Sequence, residues 1–175
     1  MASIIGVETL QHTNGTTAAT IASDGKFTAP NLVMPTGSVI QVVVDTTSTE
    51  VTNNTTSDVA TGLSATITPS SSSSKILAMA TIPTQIGSNA GNIEVDYSLK
   101  RGSTVIAFNR AMVNVNAIVH EKREVSISKL DSPNTTSATT YSVTFKEISQ
   151  INRYGSTMVC TNNTTATLTL MEIAG

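Results

Sequence analysis

The chain has 175 residues and a formal net charge of -2, with charged side chains at 13%, aromatic ones at 3% and no Trp. So weak a field excludes partners chosen by bulk charge, such as an anionic membrane, and so few aromatic and basic residues exclude the stacked, basic platform that nucleic-acid binding needs. Polarity comes instead from hydroxyls, since Ser and Thr account for 51 of the 175 residues and suit the solvent faces of strands.

Residues 1–36 stand apart in texture. The opening run Met1-Ala2-Ser3-Ile4-Ile5-Gly6-Val7-Glu8 lacks the basic and apolar regions of a secretion signal, and no later run is long enough to span a bilayer. Synthesis in the cytoplasm without membrane insertion is the expectation. Further on, Thr17 to Ser23 and Lys26-Phe27-Thr28 flank Asp24-Gly25, the strongest short hairpin signal. Apolar content here is too thin for a core, so the segment reads as a short N-terminal β-hairpin arm that packs on a larger body.

Pro35-Thr36-Gly37 opens the main domain, residues 37–175. Its first strand, Ser38-Val39-Ile40-Gln41-Val42-Val43-Val44, is apolar on both faces apart from Gln41 and is expected to meet solvent on neither. A long Thr-, Asn- and Ser-rich loop is predicted from Thr46 to Gly62, a strand from Leu63 to Thr68, and a polar connection through Pro69 and the run Ser70 to Ser74. Ile76-Leu77-Ala78-Met79-Ala80-Thr81-Ile82 is a second strand apolar on both sides, and Gly87 to Gly91 reads as a loop tip. Ile93, Val95, Tyr97 and Leu99 then alternate with Glu94, Asp96, Ser98 and Lys100, the pattern of a strand with one wet face.

Arg101-Gly102-Ser103 predicts a tight hairpin, followed by strands at Thr104 to Phe108, Met112 to Val119 and Val125 to Leu130. Between the last two, His120-Glu121-Lys122-Arg123-Glu124 reads as a solvated turn or a salt-bridge patch between subunits. Asp131 to Thr140 is a second long loop, and strands follow at Tyr141-Val143-Phe145, Thr157 to Thr161 and Ala166 to Ile173. The last of these needs a partner for its backbone groups, and Ser38 to Val44 is the best match. The whole is an all-β, antiparallel β-sandwich of jelly-roll type.

No catalytic, cofactor-binding or metal-binding residue is selected, and no enzyme is expected. His12 falls in a polar turn and His120 in the mixed charge cluster. Glu94 and Asp96 share a strand face, but nothing near them in sequence implies the burial that would split their pKa values. Cys160, the single cysteine, excludes an internal disulfide and is read as a small buried side chain sharing a core face with Met158.

Two parts of the chain resemble a known family. The segment from Thr9 to Ile21, with Ser23-Asp24-Gly25 and Pro30-Asn31, resembles the N-terminal segment of many phage tail and fibre proteins. Pro35 to Val42, Thr61 to Pro69, Ser74 to Leu77 and the ending Leu168 to Gly175 are similar to the C-terminal domain common in phage fibre-like structural proteins. The resemblance implies a trimeric jelly roll similar to C1q and tumour-necrosis-factor domains, with the first and last strands lining the threefold contact. Carried onto this chain, the contact residues are Val39, Gln41 and Val43 with Thr167, Thr169 and Met171. The implied protein is a phage virion component, a homotrimeric short fibre or surface knob on tail or capsid. Its partners would be other virion proteins and a host-surface glycan or protein met by the loops Thr46 to Gly62, Gln85 to Gly91 and Asp131 to Thr140. The alternative is a free carbohydrate- or protein-binding jelly roll, for which a secretion signal or aromatic sugar platform would be expected; neither is visible.

Overall fold

Strands pair antiparallel throughout the computed structural model, which describes residues 8–29, 34–148 and 153–175. Residues 1–7, and Pro30 and Asn31 of the fibre-like segment, lie outside the described residues. The chain divides into two units, Met1–Pro35 and Thr36–Gly175.

The first unit carries one strand more than a hairpin. Strands β1 (Thr9–Gln11), β2 (Thr17–Ile21) and β3 (Phe27–Thr28) form a sheet in the order β1-β2-β3. The Asp24-Gly25 turn forms as expected: Ala22 N donates to Lys26 O at 2.8 Å, Gly25 N donates to Ala22 O at 2.8 Å, and Asp24 Oδ1 accepts from Lys26 N at 3.0 Å. Gly25 takes φ +83°, a conformation glycine adopts without a Cβ penalty.

The second unit contains β4 (Val39–Thr47), β5 (Val51–Asn53), β6 (Val59–Ile67), β7 (Lys75–Arg101), β8 (Thr104–Asp131), β9 (Thr139–Glu147), β10 (Arg153–Val159) and β11 (Ala166–Ile173). Two of these are very long, and they organise the rest. Residues 75–81 of β7 pair with β11, which pairs in turn with β4, while residues 120–131 of β8 flank the other side of β7. One layer therefore runs β4, β11, β7, β8. Residues 95–101 of β7 lie instead between β9 and the first part of β8, and β9 pairs with β6. The other layer runs β6, β9, β7, β8. Two four-stranded layers that share both members of one bent hairpin make a jelly-roll sandwich. β10 and β5 lengthen the first layer beyond the end of β11.

This arrangement corrects three readings, the first being that Thr46 to Gly62 is not one long loop but holds the end of β4, all of β5 and the start of β6. Residues 85–91 are not a loop tip; they lie inside β7, and the register slips between Asn89 and Gly91 where the strand passes from one layer to the other. Glycines that signal a turn in sequence here mark a bend within a strand. The cluster His120 to Glu124 is likewise not a turn but part of β8, paired with residues 83–87. The reversal at Arg101-Gly102-Ser103 does form, with φ +55° at Gly102 and Gly102 N donating to Thr140 O at 2.9 Å.

Between the layers, Ile76, Ala78, Ala80 and Ile82 of β7 meet Leu63, Ile67, Tyr141, Val143, Phe145, Leu168 and Leu170, all buried. Tyr97 and Phe145, opposite one another across β7 and β9, stack with centroids 5.9 Å apart. The edge strands β4 and β6 are tied together by Ser64 N, which donates to Asp45 Oδ2 at 2.8 Å. Buried Asn53 organises the connection from β5 to β6: its Nδ2 donates to Phe145 O at 2.9 Å and Ser57 O at 3.0 Å, and its Oδ1 accepts from Thr55 N at 2.8 Å and Thr55 Oγ1 at 2.9 Å.

Asn53→Ala leaves those backbone groups without partners in a closed space and should cost about 2–4 kcal/mol. Urea unfolding should show a lower midpoint at unchanged slope. A loss under about 0.5 kcal/mol would mean that water replaces the side chain.

Candidate oligomer interface and loop-end cavities

Register decides which side chains line the outside of the first layer. Across β4 and β11, Met171 faces Val42, Thr169 faces Val44 and Thr167 faces Thr46; across β11 and β7 the same residues face Leu77, Met79 and Thr81. β8 adds Leu130, Ser128 and Ser126 opposite those three. Directly opposed residues share a face, so the outside presents an apolar row, Val42-Met171-Leu77-Leu130, then a mixed row, then a row of hydroxyls. Val42 and Val44 are 51% and 55% exposed in the single chain. Expected to avoid solvent on both sides, β4 is half-buried on its inner side and exposed on the other, and residues 76–82 of β7 are buried on one side and half-buried on the other.

Of the six residues assigned to a contact, Val39, Thr167, Thr169 and Met171 do lie outward, but Gln41 and Val43 do not. Val43 stands opposite Leu170 and packs on the core; Gln41 stands opposite buried Glu172. The register slips by one residue between Glu172 and Ile173, leaving Ile40 as the extra residue and returning Val39 to the outer side. A bulge reverses the face of every residue beyond it. Val42 and Val44 take the outward places assigned to Gln41 and Val43.

Gln41 has a different task. Its Nε2 donates to Glu172 Oε2 at 2.6 Å and to Thr68 O at 2.7 Å, while Ser70 N and Ser70 Oγ donate to Glu172 Oε1 at 2.7 and 2.6 Å. Burial pushes the Glu172 pKa upward, but the donors Ser70 and Gln41 outweigh it and hold the carboxyl below its ordinary 4.5. The four bonds clamp the serine-rich connection to the first and last strands.

The outside of the second layer mixes charged and apolar groups. Arg110 clamps two carboxylates: Nε and Nη2 donate to Asp96 Oδ1 and Oδ2 at 2.6 and 3.0 Å, and Nη1 donates to Glu94 Oε2 at 2.9 Å. Being exposed, this set adds little stability. Val105, Phe108 and Met112 project beside it from β8, Phe108 being 64% exposed.

Cys160 is buried but is not on the face of Met158. β10 ends at Val159, and Cys160, at φ +57°, starts the turn Thr161–Asn163, where alternation no longer applies. Burial pushes its thiol pKa up, and Sγ lies 3.4 Å from Thr47 O. A raised pKa leaves little thiolate to act as nucleophile. Among the described residues, no group of three or more His, Cys, Asp or Glu side chains is placed to share a metal ion.

Two cavities lie at loop ends. One, of about 330 Å³, is lined by Pro83 and Thr84, by Lys122, Arg123 and Glu124 of β8, and by Thr161, Asn162 and Thr164. The other, of about 340 Å³, is bounded by Arg101 and Gly102 and by Pro133, Thr135, Ala138, Thr139 and Thr140. Arg101 and Asp131 were not singled out in the sequence, where they are merely residues flanking a hairpin and a loop. Only the stacking of the two halves of the β7–β8 ribbon brings them together, with Tyr141 OH donating to Asp131 Oδ2 at 2.7 Å.

Comparison with known proteins leaves the assignment to these residues. No family model and no curated protein matches the chain. A chain from the structure of infectious bursal disease virus, Gt strain, aligns with 91% of this chain at 11% identity and a TM-score of 0.43; the alignment covers 47% of that chain, so the present one spans about half its length.

The Glu172 clamp has a pH signature. A carboxyl whose folded pKa lies below 4.5 stabilises the fold fully above pH 4.5 and loses that contribution as pH falls through the folded value. Glu172→Gln should therefore lower stability at neutral pH and flatten the acid limb of a plot of urea midpoint against pH. Parallel acid limbs in the two proteins would show that the carboxyl titrates normally.

Proposed function

We propose that this chain is a phage virion structural protein, a homotrimeric short fibre or surface knob on tail or capsid, whose loop ends face the host. The observation that carries the reading is the open apolar row on the outside of β4, β11, β7 and β8. Residue patterns similar to those of phage fibre-like proteins support it from the sequence. A sandwich working alone has no use for such a row. Burying one Val, Leu or Met side chain contributes about 1.5–3 kcal/mol when exposure is complete, less for half-exposed groups such as Leu77 and Met171. Several are needed to exceed an association cost of about 4–15 kcal/mol.

Threefold closure adds a second requirement. A cyclic trimer uses a head-to-tail contact, so each protomer must offer two different surfaces. Val105, Phe108 and Met112 on the outside of β8 are the second exposed apolar group in this reading. The N-terminal unit, with Leu10, Ile21 and Phe27 exposed on its small sheet, is the arm that docks on other virion proteins.

Light scattering after size exclusion should give three times the chain mass of 18.2 kDa. Val44→Asp places a charge on the outer row and should yield a folded monomer, whereas Val43→Asp places it against the core and should unfold the chain. A wild-type monomer at micromolar concentration would sink the trimer.

A chain beginning at Met34 should fold and trimerise but fail to join particles that lack the full-length protein. Its incorporation at normal occupancy, followed by electron microscopy of the virions, would move the docking role to the sandwich.

A further inference from the structure

The cavity beside the β7–β8 turn is lined by a charged group held in place from one side. Arg101 Nη1 donates to Asp131 Oδ1 at 3.0 Å, Asp131 Oδ2 at 2.8 Å and Ser132 O at 3.3 Å. The guanidinium also interacts with the Tyr141 hydroxyl, so Asp131, Ser132 and Tyr141 together fix its position. Asp131 is fixed from behind by Tyr141, a fully buried phenol whose pKa is pushed up by burial and then by Asp131, so that it stays protonated and donates. Asp131 and Tyr141 thus hold in place the arginine that lines the cavity.

The opposite wall is set in place by its own hydrogen bonds. Ser137 N donates to Thr135 Oγ1 at 3.0 Å, Thr139 Oγ1 donates to Ser137 O at 3.0 Å, and Thr140 O accepts from Gly102 N at 2.9 Å, which joins the loop to the hairpin turn. Asn134, at φ +53°, supplies the sharp bend. The Thr135 hydroxyl accepts a bond and retains a proton to donate. Such an ordered wall lowers the entropy that binding must overcome.

We propose that this cavity binds the carboxylate of an acidic sugar. The parallel N–H donors on the Nε and Nη2 edge of a guanidinium match two carboxylate oxygens. Because Asp131 already offsets part of the positive charge, the site suits a monoanion rather than a phosphate dianion. The volume, about 340 Å³, exceeds what a bare carboxylate fills and falls in the range of small-ligand sites. Threonine hydroxyls complement sugar hydroxyls, and Pro133 and Ala138 offer the apolar patch that a pyranose face covers. This deepens the host-contact part of the proposed function and names its ligand class. It rests on none of the assembly argument, so a monomer in light scattering leaves it standing and its own failure leaves the trimer standing.

The test is a titration of the full-length ¹⁵N-labelled protein at physiological salt with glucuronate, glucose, acetate and N-acetyl-aspartate amide, followed by amide and arginine Nε chemical shifts. Glucuronate should shift Gly102, the Arg101 Nε signal and residues 134–140 saturably, with a Kd on the order of 1–10 mM, an affinity typical of a single small contact set. Glucose should leave these signals in place, and acetate and the aspartate derivative should bind at least several-fold more weakly. Ala138→Trp fills the cavity from an exposed position without touching the Arg101 to Asp131 bridge, and it should abolish the shifts while urea stability is retained. Arg101→Lys, which keeps the charge but loses the fork, should weaken binding about tenfold. Four outcomes would overturn the proposal: no saturable shifts with glucuronate, equal binding of glucose or acetate, unchanged binding in Ala138→Trp, or tighter binding of the aspartate derivative, which would make the ligand an acidic peptide.

Discussion

The long antiparallel pairing of β7 with β8 is the constraint on which the rest of this structure depends. Residues 76–101 and 104–131 run side by side out through one layer and back through the other, so that both strands belong to both layers. Once that ribbon bends near Asn89, the remaining strands have few places to go. β11 and β4 must add to one half, and β9 and β6 to the other, because only there do free edges remain beside a face that can be dried.

Bending one ribbon through two layers also makes their outer surfaces unequal. The part of β7 before the bend carries Leu77 and Met79 outward, and the part after it carries Glu94, Asp96 and Lys100. A single strand thus supplies both apolar groups on the outside of one layer and charged groups on the outside of the other. Burying the first kind of surface releases water at a gain and burying the charged groups of the second does so at a cost, so the two halves of β7 differ in what they favour.

Polar side chains inside the second unit are placed where connections leave the sheets. Asn53 holds the turn after β5, Glu172 holds the serine-rich run before β7, and Asp131 with Tyr141 holds the start of the loop after β8. Each accepts or donates several bonds in a dry setting, where leaving any one unmade is expensive. Loop shape at both ends of the sandwich is therefore dictated by the core, and a cavity bounded by such loops is built before any ligand arrives.

Alternation and turn chemistry were enough for the all-β class and the hairpin turns at Asp24-Gly25 and Arg101-Gly102, because both are local properties, while the partner of the last strand followed from its need to satisfy backbone groups. They were not enough to orient β4. With Val39 to Val44 apolar on both sides, no local pattern distinguishes inward from outward, and only the pairing with β11, including the extra residue Ile40, turns Val43 in and Val44 out. Nor did local signals show that Gly87 and Gly91 lie within a strand, since pairing with β8 overrides what glycine prefers in isolation. Arg101 and Asp131 lie at opposite ends of the β7–β8 ribbon, beside Thr104 and Ile76, and meet only because the ribbon bends near Asn89 and lays one half over the other, so the cavity was decided by tertiary structure, through contacts that no window along the chain contains.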